Sequence, residues 1–268
     1  MHKQKWLIPP NDCSVDQHAL NAALKNAYNE LTAKHHPVRG QNQVPEFILT
    51  IGAPGAGKHT ISKIYIEQFG KYPADNYVTL DFDAAIKYHP DFNNIWDIST
   101  AYNTTAPGVA FTTTWKTCNS KLSSMLWDLA EKLMDRGFNI IMQSHEQKRL
   151  VNAKMHGYNT ILLFVGAPLA ISIERAQQRA ISTGKFLEPT LEAQKELIDN
   201  KWTTYRYYAP YYAMWADELV VVSNHKPDVN NAKFKNINPH DASLGNTWDE
   251  KRESIQRYID KAIHWSSY

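Results

Sequence analysis

The stretch Gly52-Ala53-Pro54-Gly55-Ala56-Gly57-Lys58-His59-Thr60 carries the chemistry-bearing residue types of this chain at close spacing. Its glycines let backbone N–H groups converge on a phosphate with no Cβ in the way. Lys58 follows directly, placed to reach β- and γ-phosphate oxygens, and a helix from about Thr60 adds the positive end of its dipole. The phosphate-loop pattern G-x-x-x-x-G-K-[ST] is met as far as the lysine. At its last position, where a hydroxyl holds Mg²⁺, stands His59, and Thr60 comes one residue late. A Gly-rich strand-to-helix turn with no ligand would leave the lysine unexplained. A second group is Asp81-Phe82-Asp83, at the end of the apolar run Tyr77-Val78-Thr79-Leu80. Ligands of an open parallel sheet bind at the C-terminal ends of its strands, which brings these carboxylates towards the phosphates. Either aspartate alone also serves as a helix cap.

The elements that must position these groups alternate along the chain. Phe47–Ile51 reads as a buried strand, and the helix after the Gly-rich loop has Ile61, Ile64, Tyr65 and Phe69 on one face and stops at Gly70. Residues 138–143, 160–165 and 219–222 read as further strands. Helices are expected over 14–34, opened by the capping box Ser14-Val15-Asp16-Gln17, and over 114–136, 147–156, 168–183, 190–202 and 247–265. A short helix and a long loop are expected over 84–113, and a loop over 224–247. The aromatic cluster Tyr205–Trp215 either stacks bases or packs a helix onto the core, and packing is the preferred reading. Strand and helix alternation gives one doubly wound α/β domain with a mainly parallel, five-stranded sheet. Residues 1–45 form a helical extension, 46–223 the core, and 224–268 a loop and helix packed on it.

Composition narrows the partners. Hydrophobic residues make up 43% of the 268, enough for a sizeable core, and 29 basic against 27 acidic residues give no electrostatic case for extended nucleic acid. Cys13 and Cys118 make no metal-type spacing and no disulfide framework, so a reducing compartment is expected. No run reaches membrane-spanning length. A cytoplasmic protein with no membrane partner follows.

These stretches together resemble the zeta toxin family of P-loop kinases. Gly52–Lys58 has the family's G-x-P-G-x-G-K form. Asp81-Phe82-Asp83 followed by His89-Pro90-Asp91-Phe92 resembles its D-x-D…H-P-x-F segment. Gly137–Ile141 resembles its third strand. Gly157-Tyr158-Asn159 through Ala167-Pro168, with Ile173-Glu174-Arg175, resembles its next strand and arginine-bearing helix. The likeness covers residues 46–190. It implies a P-loop NTPase fold like that of nucleoside monophosphate kinases, with strand order 2-3-1-4-5. It implies ATP or GTP with Mg²⁺ as cofactors, bound by Gly52, Ala53, Pro54, Gly55, Ala56, Gly57, Lys58, His59 and Thr60.

The implied reaction is phosphoryl transfer to a hydroxyl of a small molecule, a UDP-N-acetyl-aminosugar in the bacterial toxins. Asp83 would be the base, and Lys58 and Arg175 would neutralise the transferred group. Thr60 and Asp81 are the metal candidates. His89, Gln143, His145, Arg179 and Lys185 are the substrate-side candidates, with Arg179 or Lys185 standing in for a second lid arginine. The family also admits a protein antitoxin or regulator as partner. Four positions depart from its pattern: His59 replaces Ser or Thr, Gln143 replaces a substrate-contacting Glu, and Ser144-His145 replaces Gly-Thr. A kinase of nucleosides, nucleotides or nucleic-acid ends is one alternative, and a nucleotide-binding regulatory module without chemistry is the other.

Overall fold

A computed structural model describes residues 17–39, 43–81, 88, 124–183, 191–225 and 232–264. Helix α1 (Gln17–Thr32) precedes β1 (Glu46–Ile51), α2 (Lys58–Phe69) and β2 (Tyr77–Leu80). Helix α3 (residues 124–136) is followed by β3 (Asn139–Gln143), α4 (Lys148–Met155), β4 (Asn159–Gly166) and α5 (Leu169–Thr183). Helix α6 (Leu191–Ala213), β5 (Glu218–Ser223), β6 (Lys233–Ile237) and α7 (Trp248–His264) complete the order. The sheet runs β2-β3-β1-β4-β5-β6. The first five strands are parallel, as expected, and β6 pairs antiparallel with β5.

The strands read as continuous apolar runs because helices cover both faces of the sheet. On one face Phe47, Leu49, Leu162, Phe164, Leu219 and Val221 pack with α1, α3, α4, α6 and α7. On the other, Ile48, Ile141, Leu163, Val165 and Val222 pack with Ile61, Tyr65 and Ile66 of α2. Alternation along each strand therefore separates two cores. Helix α7, through Ile255, Ile259, Ala262 and Ile263, belongs to the first core together with Ala23, Leu24 and Ala27 of α1.

Two expectations are corrected. The sheet has six strands rather than five, since β6 lies within the span read as loop. Lys233, Lys235 and Asn236 are exposed and only Ile237 is buried, so this edge strand lacks the apolar run that marks the others. Secondly, the helix expected to end near Trp202 runs on as the 23-residue α6, with Pro210 inside it. Proline removes one helical hydrogen bond, but Ala209 and Ala213 are fully buried on either side, and Tyr205 and Tyr212 pack against the same core. Core packing of the aromatic cluster is thus observed for Tyr205 and Tyr212, whereas Tyr207 and Tyr208 are exposed.

Helix α7 begins with a reciprocal cap. Glu250 Oε2 accepts from the N–H groups of Asn246 and Thr247, and Thr247 Oγ1 accepts from the N–H of Glu250 at 3.2 Å. Thr247→Ala is expected to lower stability by about 1 kcal/mol in urea denaturation, with nucleotide affinity unchanged. A variant as stable as the parent would show that this cap is idle.

Candidate active site

The adjacent strands β1 and β3 send the chain to opposite sides of the sheet. After β1 the Gly-rich loop leads to α2 on one face. After β3, residues 144–147 lead to α4, whose Leu150 and Ala153 are buried in the other. Where neighbouring connections diverge in this way, a crevice opens at the C-terminal ends of the strands. Thr50 of β1 and Gln143 of β3 are register partners at its floor.

The loop that enters this crevice has a shape only glycine permits. Gly57 caps α2 in a left-handed conformation, φ 89°. At Gly55, φ 81°, a Cβ would lie 2.0 Å from the Ser172 carbonyl oxygen, so the loop rests against the first turn of α5. Asn224, just past β5, donates from Nδ2 to the Ala56 carbonyl at 2.7 Å and from its backbone N–H to Gly166 O at 2.8 Å. Ser62 Oγ donates to Lys58 O at 2.8 Å and lies 3.0 Å from Thr50 Oγ1, which ties the first turn of α2 to β1. The Lys58 ammonium donates to Gly52 O at 2.9 Å and Ala53 O at 3.2 Å, so it is drawn back along the loop. His59 and Thr60 are exposed on the first turn of α2.

Around the loop stand several of the expected residues. Asp81, at the end of β2, accepts from Gln143 Nε2 at 3.4 Å, which joins the ends of β2 and β3. Arg175 of α5 donates to the Asn224 carbonyl at 3.4 Å, so one asparagine touches both the loop and this arginine. Burial holds the Arg175 pKa below its usual value, with Glu174 opposing the shift. His145 keeps an exposed surface, and its carbonyl accepts from Tyr212 Oη at 2.7 Å. Desolvation, then the Lys201 charge, lowers its imidazole pKa. Arg179 is exposed one turn beyond Arg175. Asp83, His89 and Lys185 lie outside the described residues.

Asn224 and Ser172 were not singled out from sequence. Both are buried, and among the described residues neither Asn224 Oδ1 nor Ser172 Oγ has a hydrogen-bond partner. The polar pair Ser223-Asn224 after the apolar run of β5 is the only signal the sequence offers for Asn224. Nothing marks Ser172, whose part depends on how close α5 comes to Gly55.

A Gly-rich loop between a central parallel strand and a helix beginning at lysine, placed at the crevice of this sheet, defines the P-loop kinase fold. The zeta toxin family model matches residues 29–190, more than half of the chain, and the chain belongs to the zeta toxin family. No curated protein sequence matches it. Among solved structures, one from the PezAT chromosomal toxin–antitoxin system of Streptococcus pneumoniae is similar at a TM-score of 0.60 and 16% identity, covering 94% of this chain and 88% of that one. The complex AvrRxo1-ORF1:ORF2 with ATP is similar at a TM-score of 0.52 and 11% identity, over 92% and 84% of the two chains. The same complex with sulphate ions gives 0.50 and 10%, over 85% and 69%. At these identities the likeness is one of fold.

Asn224→Ala would strand the Ala56 carbonyl in a buried place. It is expected to cost about 1–3 kcal/mol of stability and to weaken ATP binding, measured by calorimetry at a temperature where the variant is folded. Unchanged ATP affinity would show that the Asn224 clamp does not set the shape of the loop.

Proposed function

We propose that the chain is a kinase that transfers the γ-phosphoryl group of ATP or GTP to a hydroxyl of a small molecule. The observation that carries this reading is Lys58 held over the Gly-rich loop in a crevice whose other end carries the Asp81 carboxylate. Phosphoryl transfer needs little covalent help from a protein and mostly requires positioning and charge neutralisation. Loop N–H groups and the α2 N-terminus hold the donor phosphates. Lys58 and Arg175 offset the charge on the group in transit. Asp83 takes the proton of the acceptor hydroxyl.

The residues present fit a Mg²⁺ ion carried in with the nucleotide. Such an ion keeps several waters and takes one or two carboxylates. Asp81, hydrogen-bonded by the Gln143 amide and half-buried, is the oxygen donor of that kind. Thr60 is the nearby hydroxyl, while the imidazole of His59 suits Mg²⁺ poorly. When bound, the ion would supply positive charge to the β- and γ-phosphate oxygens.

By family resemblance the acceptor is a UDP-sugar-like molecule, held by Gln143, His145, His89 and a lid cation, Arg179 or Lys185. An amide at Gln143 in place of a carboxylate changes what hydroxyl pattern that pocket prefers. Known likenesses to toxin–antitoxin and two-component complexes support a protein antitoxin or regulator as partner. Among the described residues no helix is long and apolar enough to cross a membrane, and the nucleotide supply of the cytoplasm suits the reaction. A second reading, a nucleotide-binding regulator without chemistry, is favoured by one feature, the imidazole of His59 at the hydroxyl position of the loop.

Turnover of ATP with Mg²⁺ over a panel of hydroxyl acceptors separates the two readings. Lys58→Ala should weaken triphosphate binding and abolish transfer, since it removes a charge-assisted contact, and unaltered turnover would move the site elsewhere. Asp83→Asn should lower kcat by at least about two orders of magnitude with ATP affinity and melting temperature nearly unchanged. Near-parental transfer by that variant would reject the base assignment. His59→Thr, which restores the usual hydroxyl, is expected to preserve or raise Mg²⁺-dependent turnover, and a fall in activity would give His59 a direct part.

A further inference from the structure

The chain that leaves β3 at the C-terminal end of the sheet carries a further cation, on the side taken by α4. Six residues past Gln143, in the first turn of α4, stands Arg149. It heads the fully buried side chains by volume, with only 2% of the side chain exposed. Its guanidinium sits over the ring of Trp127 of α3, with Cζ 3.6 Å from the ring centroid. Nη2 pairs with Glu146 Oε2 at 2.7 Å. Among the described residues, Nε and Nη1 have no hydrogen-bond partner.

A guanidinium presents five N–H donors in a fixed fork, and burying such donors unmade is strongly unfavourable. One carboxylate satisfies a single nitrogen here. The same carboxylate also faces Lys148, whose Nζ is 3.6 Å from Glu146 Oε2 and 5.7 Å from the Trp127 ring centroid. Two cations therefore share one acid, and that acid keeps 27% of its side chain exposed, enough to leave for solvent. A structural strut would pair the buried fork fully. The close Trp127 ring restricts the guanidinium, which suits bidentate recognition of an oxyanion.

We infer that Arg149, seated on Trp127, is an oxyanion subsite for the acceptor: it binds a phosphate or carboxylate group of the molecule whose hydroxyl is phosphorylated, and Glu146 occupies its fork in the absence of that group. The inference rests on the kinase reading for the word acceptor, while the anion site itself stands on Arg149. It makes Arg149 a specificity determinant that selects acidic acceptors over neutral ones of similar size.

The test fills the phosphate loop first. The protein is saturated with a non-hydrolysable ATP analogue and Mg²⁺, and inorganic pyrophosphate or malonate is then titrated in by calorimetry, the two probes separating phosphate from carboxylate acceptors. One of them should bind saturably. Glu146→Gln, which releases the fork, should bind it about tenfold tighter, the scale of a charge-assisted contact. Arg149→Met, an apolar replacement of similar length, should lose it while keeping its affinity for the analogue. If Arg149→Met does not fold, Glu146→Gln still decides, because a strut predicts lost stability with no tighter anion binding. Absence of saturable anion binding in the parent protein, or unchanged affinity in Glu146→Gln, would overturn the inference. Failure of the parent to bind the ATP analogue would instead defeat the kinase reading, and the same titrations without nucleotide would still report on Arg149.

Discussion

The divergence of the chain after β1 and β3 is the constraint on which the rest depends. Both strands are buried on two faces, so each must be followed by a helix that covers one of them. Because α2 goes to one side and α4 to the other, the strand ends between them are left uncovered. Had both turned the same way, the Gly-rich loop would have been packed under a neighbouring connection. The close contact of Gly55 with Ser172 and the Asn224 bond to Ala56 serve this arrangement. They hold the loop from the side of β4 and β5 and leave its inner surface turned to the crevice.

Cationic groups and buried polar atoms gather around the loop. The ammonium of Lys58 leans on carbonyl oxygens of its own loop. Arg175 is partly buried against a backbone carbonyl, and burial depresses its pKa as it does that of Arg149. Buried polar atoms of Ser172 and Asn224 lack partners among the described residues. The two unpartnered atoms cost stability in the free protein. Local departures of this kind concentrate where proteins bind and react.

How much of this the sequence discloses varies with the physics behind each element. The five parallel strands are legible because burial on both faces demands mainly apolar runs such as Phe47–Ile51 and Leu219–Val222. The phosphate loop is legible because glycine and lysine spacing is dictated by local backbone geometry. Strand β6 is not, since an edge strand bonded on one side needs only Ile237 inside. Continuation of α6 through Pro210 depends on how Ala209 and Ala213 fit the core, a tertiary matter. The same holds for Asn224 and for the Trp127–Arg149 contact, which join residues far apart in the chain. Asp83, His89 and Lys185 rest on sequence resemblance alone.

Strand β6 bears on how this protein behaves among copies of itself. An unpaired sheet margin is a template for strand addition, and proteins blunt it with lysines or with short strands. Here β6 adds an antiparallel rail beyond β5 with the exposed Lys233 and Lys235 along it. At the opposite margin β2 is only four residues long. A passing extended chain therefore meets ammonium groups at one margin and too brief a ladder at the other, so both rims of the sheet resist the growth of intermolecular β-structure.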